Sequence, residues 1–117
     1  MAILPTDSRS CALLLDPAMH FLGGVAVAFF LGHACSLAPV LLGSPAPLAL
    51  DLLAFGLTCT LALFWEFAEF FADQYFGTHM QRGVPNTRRD LLLGMFGAAL
   101  YLTGLRIVLS GRGGTKA

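Results

Sequence analysis

Residues 47–73 read PLALDLLAFGLTCTLALFWEFAEFFAD, an apolar run whose only charges are Asp51 near its start and Glu66, Glu69 and Asp73 near its end. A helix needs about 20 mostly apolar residues to cross about 30 Å of hydrocarbon, and this stretch supplies them. Inside a bilayer the backbone must satisfy itself, as a helix or in a closed barrel. Period-two alternation is missing and Leu, Ala and Phe fill the run, so a membrane-spanning helix is expected.

Two further stretches qualify, at about residues 17–42 and 87–109. Pro39, Gly43, Pro45 and Pro47 punctuate the first junction, and the polar stretch 77–85 forms the second. Asp16-Pro17 reads as an N-cap followed by proline at the first helical position. Thr87-x-x-Asp90 reads as a capping-box variant opening the last span. The expected architecture is an all-α integral membrane protein, an antiparallel bundle of three transmembrane helices in one domain over residues 1–117. The Gly-rich tail, residues 111–117, is expected to be disordered.

Composition agrees. Of 117 residues, 56% are hydrophobic and 12% charged, against about 25% charged in soluble domains. Mean hydropathy is +0.74. Seven basic and seven acidic residues cancel, so no field recruits nucleic acid, and the expected surroundings are a lipid bilayer. The N-terminus is a poor secretory signal, because Asp7 precedes Arg9 and because Asp16 and His20 interrupt the apolar core; the first span should be retained. Cys11, Cys35 and Cys59 lack CxxC spacing and are expected to be small buried hydrophobes. Arg9, Arg82, Arg88 and Arg89 fall on one side of the membrane, against Arg106, Arg112 and Lys116 on the other, which favours a cytoplasmic N-terminus.

The intramembrane charges are more informative. Asp16 and His20 open the first span, Glu66, Glu69 and Asp73 close the second, and Asp90 opens the third. Successive helices are antiparallel, so all six lie towards one membrane face. Asp16 and His20 are four apart, while Glu66, Glu69 and Asp73 fall at i, i+3 and i+7, so each set makes one stripe. Ionisable groups at such depth normally face a bundle interior or a wet cavity. Each also has a plain structural role open to it: Asp16 and Asp90 as caps, His20 as an interfacial histidine. The three carboxylates of the second span sit at a helix C-terminus, where the macrodipole disfavours them by about 0.3–1 kcal/mol each. Three compensations fit: a bound cation, retained protons, or Arg82, Arg88 and Arg89 folding over the site.

Small residues mark the packing faces. Gly24, Ala28 and Gly32 repeat every four residues on the first span, and Gly94, Gly97 and Ala98 continue the Asp90 stripe on the third. The third span is expected to lay this face on the acidic second one. Phe64, Phe67, Phe70 and Phe71, with Trp65, read as lipid or partner contact. At the opposite face Asp51, His33 and Arg106 form a smaller polar group, with an Asp51–Arg106 pair expected.

The segments Asp16-Pro-Ala-Met-His20-Phe-Leu-Gly23, Trp65-Glu66-Phe-Ala-Glu69, and Gly77-Thr78 followed by Asn86-Thr87-Arg-Arg-Asp90 resemble the VanZ-like membrane proteins and, more closely, the YjdF-like inner-membrane proteins. The resemblance implies a bacterial inner-membrane location, a link to the cell envelope, and a polar core of Asp16, His20, Glu66, Glu69 and Asp90. This chain departs from the pattern at Asn86, where the YjdF-like proteins carry Asp, and at Gly94, where the VanZ-like proteins carry Asn.

Histidine plus carboxylates on facing helices is how helical bundles build metal sites. The metal-ligand set expected is His20, Glu66, Glu69, Asp73 and Asp90, supported by Asp16, Asn86, Arg82, Arg88 and Arg89. Imidazole with carboxylates suits a divalent Mn, Fe or Zn ion. Two other classes stay open: a proton- or lipid-handling site, and a non-catalytic accessory subunit of a larger membrane complex. Three helices are a thin scaffold for a transport path, so a homo-oligomer or a larger complex is expected. Nothing in the chain decides whether it is an enzyme.

Overall fold

The computed structural model describes residues 8–114, with four helices and no strand among them: α1 (Ser8–Ser36), α2 (Pro39–Leu42), α3 (Pro47–Phe76) and α4 (Val84–Gly113). The long helices are long and apolar enough to cross a membrane, over Leu13–Ser36, Pro47–Phe76 and Val84–Gly113. The all-α, three-span expectation therefore holds, with shifted boundaries. The first helix ends at Ser36, and the proline-led turn α2 occupies the stretch assigned to its last residues. Helix α4 continues through Gly113, into the expected tail, whose residues 115–117 lie outside the described residues.

Both expected helix starts are corrected. Helix α1 begins at Ser8 and carries Pro17 in its interior, so Asp16 is not an N-cap. Proline costs a soluble helix a hydrogen bond and a clash, but spanning helices tolerate it because neighbouring groups re-satisfy the freed carbonyl. Helix α4 begins at Val84 after Gly83, with proline in its first turn and no side-chain cap, so the Thr87–Asp90 box does not form. Gly83, at φ 100°, adopts a backbone conformation that favours glycine. Both changes release an aspartate from capping for a tertiary role.

The packing is inside-out relative to a soluble bundle. Ala28, Ala54 and Ala98 are fully buried beside Leu102, with Leu31, Phe55 and Tyr101 packed against them. Large apolar side chains, Phe64, Phe67, Phe70 and Phe71 among them, lie exposed on the outside. Lipid tails are as apolar as leucine, so helices associate through small residues that let backbones approach. The closest seam joins α1 and α4: a Cβ on Gly24 would collide with the Gly94 carbonyl, and one on Gly97 with the Phe21 carbonyl. Helix α4 also packs on the acidic α3, as its small face leads one to expect, through a looser second seam. Towards α3, a Cβ on Gly94 would meet Ala62 only at an ordinary 3.9 Å. The cysteines are not core residues either, for Cys11 is exposed and Cys35 and Cys59 only half-buried, all three free.

At one end of the bundle Arg106 of α4 donates from Nε to Asp51 Oδ2 at 2.8 Å and from Nη2 to the Pro47 carbonyl at 2.9 Å. This pair ties α4 to the start of α3. His33 does not join it; its ring stacks on Phe29, with centroids 6.2 Å apart. The other end holds the site.

Candidate functional site

Three antiparallel helices carry their charged turns to a common depth. Asp16 and His20 lie one turn apart on α1, Glu66 and Glu69 near the end of α3, and Asp90 near the start of α4. These five side chains line one cavity of about 510 Å³, whose remaining wall is largely apolar. Thus the structure gathers His20, Glu66, Glu69 and Asp90 from the expected ligand set, together with Asp16, which was expected as a supporting residue.

Within the cavity Asp16 Oδ1, His20 Nε2 and Asp90 Oδ2 form a compact triangle. The imidazole nitrogen lies 3.5 Å from Asp16 Oδ1 and 3.6 Å from Asp90 Oδ2. One donor atom from each of the three residues lies within 4.8 Å of the others. Those nitrogen–oxygen separations exceed the usual hydrogen-bond range of about 2.7–3.2 Å. They match neighbouring ligands of one ion, since atoms held about 2.1 Å from a tetrahedral metal lie about 3.4 Å apart.

Arginine orients both carboxylates from the outer side. Arg89 Nη2 donates to Asp16 Oδ2 at 2.7 Å, to Asp90 Oδ1 at 2.8 Å and to Asn86 Oδ1 at 3.0 Å, and its Nε donates to Asp90 Oδ1 at 3.0 Å. The Asn86 amide donates to Asp90 Oδ2. Arg89 therefore occupies one oxygen of each aspartate and leaves the other turned towards His20. Such supporting bonds fix ligand orientation in metal sites. Asp90 is 1% exposed, so its charge depends on these partners.

The glutamates face the triangle from α3. Glu69 Oε1 accepts a bond from Trp65 Nε1 at 2.8 Å, a contact one helical turn long. Glu66 is 4% exposed, and its Oε2 is buried without a hydrogen-bond partner. Four carboxylates thus line the cavity, and Arg89, outside its lining, pairs with two of them.

The remaining expected site residues lie elsewhere. Asp73 does not line the cavity; its carboxylate accepts bonds from the Thr78 hydroxyl and from the Met80 and Gln81 amides, the latter two at 2.8 and 2.9 Å, and so shapes the loop after α3. Gln81 Nε2 then donates to the Glu66 carbonyl at 2.9 Å, drawing the loop back over the helix end. Arg82 and Arg88 are exposed; of the three arginines expected to compensate the acidic group, Arg89 pairs, and with Asp16 and Asp90 rather than with the α3 carboxylates. Sequence reasoning passed over Trp65 and Gly23 as cavity residues. Both carried a signal: Trp65 precedes Glu69 by four, and Gly23 follows His20 by three, on the same helix faces.

The family described as predicted membrane protein (DUF2238) matches residues 12–111, which takes in the first two spans, the third up to residue 111, and every residue of the cavity. No curated protein and no solved structure matches the chain.

Proposed function

The chain belongs to that family of predicted membrane proteins, and on this premise we propose that it holds a divalent metal ion near one membrane face, with Asp16, His20 and Asp90 as ligands. The observation that carries the reading is the triangle of Asp16 Oδ1, His20 Nε2 and Asp90 Oδ2, at separations of 3.5 and 3.6 Å about the imidazole nitrogen. Three protein ligands with a fourth position facing a cavity is the arrangement of metal sites that exchange water for another ligand. Imidazole with two carboxylates suits Zn, Mn or Fe. Charge supports the same reading, because one arginine cannot neutralise four carboxylates. Glu66 and Glu69 stand across the cavity as outer acceptors and Asn86 and Arg89 as orienting groups; Asp73 holds the loop.

The resemblance to VanZ-like and YjdF-like proteins supports an envelope role in a bacterial inner membrane, and the arginine distribution supports a cytoplasmic N-terminal side. The exposed Phe-rich face of α3 supports contact with lipid or with a second membrane subunit.

The test is thermal unfolding of purified protein titrated with Zn²⁺, Mn²⁺ and Fe²⁺. A ligand that binds only the folded state raises stability by about 2.7 kcal/mol at a hundredfold excess over its dissociation constant. At least one ion should raise the melting temperature, a chelator should reverse the rise, and His20→Ala should abolish it. Protein indifferent to all three ions and to chelator overturns the metal reading and leaves a shared-proton site.

A further inference from the structure

The cavity continues well past the charged groups. Its α1 wall runs from Asp16 through Gly23 to Val27, and its α3 wall from Glu69 through Ala62 to Thr58. Each wall advances eleven positions, about 16 Å at 1.5 Å per residue, which is about half of a 30 Å hydrocarbon core. The helices are antiparallel, so both walls run inwards together from the charged face. The groove is therefore about one leaflet deep, polar at its mouth and apolar along its length. Met19, Leu61 and Trp65 on its rim are exposed, so it opens sideways to where lipid lies. Small residues make the room: a Cβ placed on Gly23 meets nothing within 4 Å, in contrast to the closed seam at Gly24.

The mouth selects the head. Glu66 Oε2 is buried, lacks a donor and belongs to a residue lining this cavity. Leaving such an oxygen unpaired is unfavourable. With the four carboxylates ionised, the surrounding charge is negative even after Arg89 is counted, and a divalent ion at the Asp16, His20 and Asp90 triangle would still leave one negative charge when His20 is neutral. A primary ammonium offers both the charge and the N–H donors. A quaternary ammonium offers charge without a donor, and a phosphoglycerol head adds negative charge.

We infer that the groove between α1 and α3 binds one chain of a bilayer lipid whose head carries a primary ammonium, with that ammonium donating to Glu66. This deepens the reading of the same site, and it fails separately from it: metal content reports on Asp16, His20 and Asp90, headgroup selectivity on Glu66 and Gly23.

Trp65 is the chain's single tryptophan and lines the groove, so its fluorescence reports occupancy. Protein in phosphatidylcholine vesicles is mixed with phosphatidylethanolamine, phosphatidylcholine or phosphatidylglycerol carrying the same brominated chains, and quenching is followed with and without chelator. Phosphatidylethanolamine should half-quench at a mole fraction lower by about threefold. Gly23→Phe and Glu66→Gln should each abolish that preference, while Gly104→Phe, in open space away from the groove, should keep it. Free ethanolamine, which lacks the chain, should not displace the lipid. Selectivity that survives chelator and His20→Ala supports the groove whatever becomes of the metal. Equal quenching by the three lipids overturns the inference, as does a preference for phosphatidylglycerol or one that persists in Gly23→Phe. Displacement by ethanolamine at matched concentration reduces the site to a soluble-amine pocket and also overturns it.

Discussion

His20 Nε2 of α1 stands 3.6 Å from Asp90 Oδ2 of α4, across the seam where Gly24 meets Gly94. The two facts depend on each other. Only glycine at position 24, where a Cβ would strike the Gly94 carbonyl, lets the backbones come close enough to bring a histidine on one helix to an aspartate on the next. The site is thus a consequence of the packing face, and damage to either should be read in both.

Gly24→Ala should destabilise the protein by about 1–3 kcal/mol, the range for forcing an added group into a packed seam. It should also weaken metal binding by separating His20 from Asp90. Gly104→Ala, whose Cβ meets nothing within 4 Å, should be neutral or slightly stabilising, because alanine favours helix over glycine. Denaturant unfolding of the two variants in one detergent checks the contrast.

Arg89 pairs with the two aspartates proposed to hold the ion, so the effects of the two should be coupled. Arg89→Ala removes four hydrogen bonds to Asp16, Asn86 and Asp90. In the presence of chelator it should cost about 1.5–3 kcal/mol, the range for a hydrogen bond to a charged group, since the exposed half of the side chain is screened by solvent. Saturating metal should reduce that loss by at least half. Arg89→Lys keeps the charge without the planar fork and should recover only part of it. Melting curves of the variants with metal and with chelator give the coupling directly.

Asp73 gathers the Thr78 hydroxyl and two loop amides. Asp73→Ala should raise amide exchange at Met80 and Gln81 while leaving metal binding nearly unchanged. Exchange measured by mass spectrometry checks the first part and metal titration the second. A lost metal site in Asp73→Ala would place this carboxylate in the ligand set.

The number of spans, their antiparallel order and the common depth of the charged turns were legible in the sequence, because hydrophobic length and helical periodicity are local properties. Local chemistry misled where a tertiary partner competes for the same side chain. Asp16 before Pro17 and Asp90 after Thr87 have the form of caps, yet Arg89, which neighbours one of them in sequence and lies far from the other, draws both into one network. Asp73 shares its stripe with Glu66 and Glu69, but its partners are backbone amides of a turn whose path no periodicity specifies. Trp65 belongs to an apolar-looking face, and its hydrogen bond to Glu69 emerges only when the ring is placed. The room beside Gly23 likewise depends on how far apart α1 and α3 stand, which is a property of the assembled bundle.

Elemental analysis of the purified protein counts the ion proposed at Asp16, His20 and Asp90. Wild-type protein loaded with the best-stabilising ion and then freed of excess should retain about one ion per chain, as three protein ligands and one open position predict. His20→Ala and Asp90→Asn, each shown to remain folded, should retain none. Wild-type protein that keeps no ion, or variants that keep as much as the wild type, would contradict the account.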